Sequence, residues 1–241
     1  MRARQRHLNP KAAGAALVLD ARYITGLNNN DAVTTWSDRS GNAYDPTQSN
    51  SSWKPVYKTG QINGNPVVTF DGSNDHMSFG TPLNFTAFVI VLKTSTTSVN
   101  KSILGVRTSQ AGSFGALYIQ TGDPARTTTF AVLTTDGSTS NFRATGGVVA
   151  SGAASIFSGS RSDTAIKVAL NGVFGTEDTT STGLAPVSTI TYVGAGWFAG
   201  IVDYWPGDLA SIIGITGTRP TDGLLKRLQN SSALSYKIAC S

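Results

Sequence analysis

Phe85-Thr86-Ala87-Phe88-Val89-Ile90-Val91-Leu92 is the longest apolar run of the chain, and its β-branched and aromatic content reads as a central strand covered on both faces. Upstream, Ala16-Leu17-Val18-Leu19 is a short strand that stops at Asp20-Ala21. Val33-Thr34-Thr35-Trp36 is β-rich and is expected to be a strand running into the turn Ser37-Asp38-Arg39-Ser40-Gly41-Asn42. Pro66 to Phe70 forms another strand, entering the tight turn Asp71-Gly72-Ser73-Asn74-Asp75 before Met77-Ser78-Phe79.

Downstream, short strands are expected over 102–106, 116–120, 128–133, 155–158, 165–170, 189–193 and 208–215. Ile166, Val168 and Leu170 alternate with Ala165, Lys167 and Ala169, the period of a strand with one buried face, and Asn171-Gly172 supplies the turn behind it. Only the C-terminal end reads as helix. There Thr221 or Asp222 can cap a segment whose Leu224, Leu225 and Leu228 share one face, with Lys226 and Arg227 outward.

Composition agrees with an all-β chain. Gly numbers 26 among 241 residues, alongside abundant Ser, Thr and Asn, which favours short strands joined by many turns. Hydrophobic residues at 39% against 14% charged supply enough apolar side chains for a core, and the length suits one large sandwich. Glu177 is the only glutamate, which excludes a glycosidase working through paired glutamates. The single cysteine, Cys240, permits neither an intrachain disulfide nor a cysteine zinc cage, and His7 and His76 are the only histidines.

The formal charge of +5 is unevenly placed: Arg2, Arg4, Arg6 and Lys11 all precede the first acid, Asp20. Setting these four aside leaves 15 basic against 14 acidic residues, so the body is nearly neutral and residues 1–14 read as a basic arm. Such an arm docks on an acidic protein surface, contacts nucleic acid or is a solvated end. Its lack of stacking aromatics makes nucleic acid the poorest of the three. Ala12 to Leu19, interrupted by Gly14 and ending at Asp20, is read as strand rather than secretion signal, and no run approaches the ~18 apolar residues of a membrane span.

The order Leu17-Val18-Leu19-Asp20-Ala21, Trp36-Ser37-Asp38-Arg39-Ser40-Gly41-Asn42, Pro55 and Val68-Thr69-Phe70-Asp71-Gly72 with Asp75 resembles the start of concanavalin A-like lectin/glucanase domains of the laminin-G-like kind. Asn171-Gly172-Val173 and Gly207-Asp208-Leu209-Ala210-Ser211-Ile212-Ile213 are similar to that family's hairpin and late strand, so the resemblance spans about residues 16–240. It implies a two-sheet antiparallel jelly-roll sandwich over residues 15–241, with a short C-terminal helix and the extended arm ahead of it. The fold hosts lectins, hydrolases, adhesion modules and virion proteins, so it does not fix a function. The catalytic branch carries a Glu-x-Asp-x-x-Glu strand that this chain lacks, so a non-enzymatic domain is expected.

Three groups are candidates for contacts. Asp71 and Asp75 have the oxygen-rich look of a calcium loop, although an EF-hand starting at Asp71 would meet Pro82 at its twelfth position, and bonding to turn amides is the stronger reading. Trp197, Phe198, Tyr204 and Trp205 form the densest aromatic cluster and serve either as a patch for a sugar or protein partner or as the closure of one end of the sandwich. Arg2, Arg4, Arg6 and Lys11 suit contacts to carboxylate or phosphate. Trp36 is expected in the core, with Asp38, Ser40 and Asn42 shaping its turn. The leading expectation is a bacteriophage virion decoration or structural protein, assembled in the host cytoplasm and anchored through the arm to other virion proteins or copies of itself. The alternative is an extracellular carbohydrate-binding or adhesion module recognising surface glycans. No cofactor is expected apart from the calcium reading.

Overall fold

The computed structural model describes residues 8–81, 83, 85–95, 101–108, 118–123, 126–135, 141–148, 151–162, 165–177, 179, 188–197 and 200–240. Its strands are, in chain order, β1 (Ala15–Asp20), β2 (Val56–Gly60), β3 (Gly64–Asp71), β4 (Met77–Phe79), β5 (Phe85–Thr94), β6 (Lys101–Ser102), β7 (Leu104–Thr108), β8 (Tyr118–Asp123) and β9 (Arg126–Thr135). They continue with β10 (Asn141–Val148), β11 (Ala154–Arg161), β12 (Ile166–Leu170), β13 (Val173–Phe174), β14 (Ser188–Val193), β15 (Gly196–Trp197), β16 (Ile201–Val202) and β17 (Pro206–Thr216). One α-helix, α1 (Asp222–Tyr236), closes the chain.

A large antiparallel sheet runs β13-β12-β11-β5-β17-β3-β2, with β1 also paired to β17. Smaller sheets, β4-β14-β7 and β10-β9-β8-β6, belong to the other side of a jelly-roll sandwich, and all named strand pairs are antiparallel. The apolar run that opened the sequence is β5, between β11 and β17 in this sheet.

Both faces of β5 are covered, and by different partners. Phe88, Ile90 and Leu92 join Leu17, Leu19, Trp36, Phe70, Phe79 and Trp205 in the inter-sheet core. Ala87, Val89 and Val91 meet Leu225, Leu228, Ala233 and Tyr236 of α1 in a second apolar cluster. An alternating strand has room for only one apolar face, so this three-layer arrangement is why the run is unbroken. Fully burying Leu225 and Leu228 contributes roughly 1.5–3 kcal/mol each, enough to hold the helix on the sheet. Thr221 caps α1 by accepting from the Leu224 amide, as the sequence suggested, while Leu224 itself is only half-buried.

Two expectations change in detail. Val33–Trp36 forms no strand: Ala32 and Thr35 make only isolated bridges, to Val56 and Thr47, the Val33 and Trp36 amides donate to the carbonyls of Pro55 and Pro46, and the Ser37–Asn42 turn follows. In that turn Asp38 Oδ1 accepts from the amides of Val18 and Ser40 at 2.8 and 2.9 Å, and Asn42 Nδ2 donates to Ala16 O at 2.9 Å. These bonds tie the loop to β1 and leave Trp36 fully buried. Of the basic arm, residues 1–7 lie outside the described residues. Residues 8–14 rest on the domain, with the Leu8 amide donating to Ser231 Oγ at 3.0 Å and Lys11–Ala13 forming a 3-10 turn.

Candidate functional site

The turn between β3 and β4 holds the two aspartates. Asp71 Oδ1 accepts from the amides of Ser73, Asn74 and Asp75 at 2.8, 3.1 and 3.2 Å, and Asp75 Oδ2 accepts from the Asp71 amide at 3.0 Å. Burial opposes the charge on Asp71, but the surrounding amides outweigh it and bring its carboxyl below the usual range. Asp75 is pushed up to about 6, first by burial and then by the neighbouring Asp71 charge. Among the described residues no group of three or more His, Cys, Asp or Glu side chains is placed to hold a metal ion. The donor set is that of an Asx turn closing on its own amides, so the structure uses both carboxylates in the backbone of the loop.

The turn delivers His76 into a set of aromatic rings. The His76 imidazole lies 5.6 Å from the Trp53 ring, 5.9 Å from Tyr204 and 6.1 Å from Tyr192, centroid to centroid. Its Nδ1 is 2.8 Å from Asn74 O, a contact that requires Nδ1 to carry the proton. Nε2 is then the acceptor for Gln48 Nε2 at 3.2 Å, and Gln48 Nε2 also donates to His76 O at 2.9 Å. Burial holds the imidazole below its ordinary pKa, in keeping with a neutral ring.

His76 is buried and locked, whereas Trp53, packed beside it, is 41% exposed. Trp53 ends the 3-10 turn Ser51–Trp53, whose cap Asn50 accepts from the Ser52 amide, and Trp53 O accepts from the His76 amide at 3.2 Å. The exposed indole is therefore held by backbone and ring contacts, the condition for a stacking platform of low entropic cost.

The same face continues into a cleft. Ser78 is paired with Thr47 on one side and with Tyr192 on the other, and Ile190 lies two residues from Tyr192 on β14. Residues two apart on a strand share a face, so Ser78 and Ile190 look out on the side that carries Tyr192 and His76. Between them and the loop residues Tyr44, Asp45 and Thr47 lies a cleft of about 380 Å³. Tyr44 stacks on Phe79 at 5.9 Å and 13°, which anchors the cleft wall to the core.

Of the expected aromatic cluster, only Tyr204 is shown to join this site: it is half-buried beside His76 and its hydroxyl donates to Ile201 O at 3.3 Å. Trp205 is corrected. It is fully buried in the inter-sheet core, its amide donating to Gly194 O at 2.8 Å, so it closes the sandwich and offers no contact surface. Trp197 lies on β15, but its side chain, and the whole of Phe198, fall outside the described residues. Arg2, Arg4 and Arg6 also fall outside them; Lys11 is exposed on the 3-10 turn beside Gly41. Sequence reasoning missed Trp53, His76, Gln48 and Tyr192. The available signal was a tryptophan set among polar neighbours, Ser51-Ser52-Trp53-Lys54, where nothing local would bury it.

Solved structures share this architecture. The fourth domain of AbnA, an extracellular GH43 arabinanase from Geobacillus stearothermophilus solved with arabinotriose, aligns with a TM-score of 0.59 at 15% identity over 89% of this chain and 98% of that domain. Trypanosoma rangeli sialidase in complex with sialic acid aligns with a TM-score of 0.63 at 13% identity, over 95% of this chain but 34% of the sialidase. The botulinum neurotoxin serotype D binding domain aligns with a TM-score of 0.59 at 10% identity, over 94% of this chain and 53% of that one. At these identities the likeness establishes the β-sandwich fold. No family profile and no curated protein matches the chain. The phage-type laminin-G-like resemblance and a virion role gain no support from these structures.

Proposed function

We propose that this domain is a non-catalytic carbohydrate-binding module, with its glycan lying along the outer face of the β4-β14-β7 sheet. The observation that carries the reading is Trp53, an exposed indole held against the buried, hydrogen-bonded His76. A pyranose or furanose ring stacks its C–H face on such an indole, while Ser78, Thr47 and Asp45 of the neighbouring cleft offer hydroxyl partners. No two carboxylates of the site are arranged as acid and nucleophile: Asp71 and Asp75 are turned into their own loop. The arabinotriose complex of the AbnA domain, aligned over 98% of that domain, supports the same reading. It takes up the carbohydrate-binding or adhesion alternative in preference to virion decoration, which rests on composition, the basic arm and the phage-type resemblance.

The test is a glycan array followed by calorimetry on the best neutral ligand, with arabinotriose included as a probe. Trp53→Ala is expected to weaken binding about tenfold or more, equivalent to about 1.4 kcal/mol, with an unchanged melting temperature. An array with no bound glycan, or a variant that binds as well as the parent, overturns the proposal.

A further inference from the structure

On the opposite side of the large sheet, β1, α1 and residues 8–11 enclose a groove of about 590 Å³ that the carbohydrate face does not use. Its walls carry three cations, Lys11, Arg22 and Arg39, against one acid, Asp20. Asp20 is fully engaged: it receives Arg22 Nη2 at 2.6 Å and Nε at 3.0 Å, and the Tyr236 hydroxyl at 2.8 Å. Arg22 is thereby neutralised. Among the described residues neither Lys11 nor Arg39 has a carboxylate within ion-pair distance.

Arg39 is held in place without an acid. Its guanidinium lies 4.1 Å from the centroid of the Tyr23 ring, and Arg22 lies 5.8 Å from the same ring and 4.6 Å from Tyr236. Aromatic stacking occupies the flat face of a guanidinium and leaves its N–H edges pointing sideways, the geometry that receives a planar or tetrahedral oxyanion. Tyr23 is 53% exposed, so part of its ring is open beside that edge. Ser232 of α1 lines the same groove, beside Ser231, whose hydroxyl is bonded to the Leu8 backbone.

We propose that this groove is a second binding site, for an anionic sugar residue that carries its charge as a carboxylate or a sulfate. Two cations without acids supply the charge selectivity, Ser232 and the tyrosine face suit a hydroxylated ring, and the volume is that of a small organic ligand. The site is independent of the Trp53 face, since no residue is common to the two.

Calorimetric titration of the full chain with glucuronate, glucose 6-sulfate, glucose and sodium sulfate tests it. Glucuronate or glucose 6-sulfate is expected to bind, more weakly as salt rises, and whichever binds identifies the anion. The double variant Lys11→Gln/Arg39→Gln is expected to lose that affinity at least about tenfold, while its melting temperature and any neutral-glycan binding at the Trp53 face stay unchanged. Glucose binding as tightly as the acids, sodium sulfate alone matching them, no binding by either acid, or full affinity in the double variant overturns the proposal.

Discussion

The Tyr236 hydroxyl stands 2.8 Å from Asp20 Oδ1 and 3.0 Å from Ala210 O, so the last turn of α1 is tied to the end of β1 and to the middle of β17. Burial pushes this phenol far above its ordinary pKa, with the Asp20 charge adding to the effect. Tyr236 is the polar clasp of the helix layer, and the same Asp20 that receives it also orders Arg22 at the mouth of the cationic groove.

Tyr236→Phe is expected to destabilise the fold by about 1–3 kcal/mol, because Ala210 O and one lobe of Asp20 lose a buried partner while the ring still packs. For a chain of this size each kcal/mol lowers the melting temperature by about 2–4 °C, which a thermal melt resolves. An unchanged melt would mean that the helix layer is held by its leucines alone.

Asp75 makes stability depend on pH. Its folded carboxyl titrates at about 6 against an ordinary 3.8, so between those values the folded chain holds more protons than the unfolded one. Stability therefore falls as pH rises through this window, and the deficit persists above it. Asp75→Asn, which keeps an oxygen for the Asp71 amide, is expected to raise the melting temperature at pH 7 and to leave it unchanged near pH 3.5. His76 slopes the other way, since a buried neutral imidazole loses stability as pH falls below its unfolded value of 6.5. The parent-minus-variant difference, measured across pH 3.5 to 7, isolates the aspartate.

Gly214 of β17 faces Phe88 of β5 and Leu17 of β1 across the ladder, and a Cβ at this position would overlap the Phe85 ring. Gly214→Ala is expected to cost about 1–3 kcal/mol by overpacking. Gly80→Ala, where a Cβ meets nothing within 4 Å, is the control and is expected to fall within about 0.5 kcal/mol of the parent. Chemical denaturation of the two variants makes the comparison.

Local signals were legible wherever a residue's partners lie close in sequence. The unbroken apolar run of β5, the Asp38-Ser40-Asn42 turn, the Asx turn at Asp71 and the Thr221 cap all follow from contacts to amides within a few residues or from strand periodicity. The candidate sites were less legible. Trp53 meets His76 across 23 positions and His76 meets Tyr204 across 128, and polar loops carry no periodicity that would announce such meetings. Trp205 shows the reverse case: a tryptophan in an aromatic cluster looks like a contact residue until the sheet places it inside.

By itself the sequence determined that this chain is a β-sandwich with a helical end, that both faces of its central strand are covered, and that paired-glutamate chemistry is absent. These are properties of pattern and composition, which survive without knowledge of distant neighbours. The tertiary structure alone decided which aromatic stays in solvent and which cations lack an acid. Exposure and ion pairing depend on distances between segments far apart in the chain, and only the folded packing of β1, β4, β14 and α1 sets those distances.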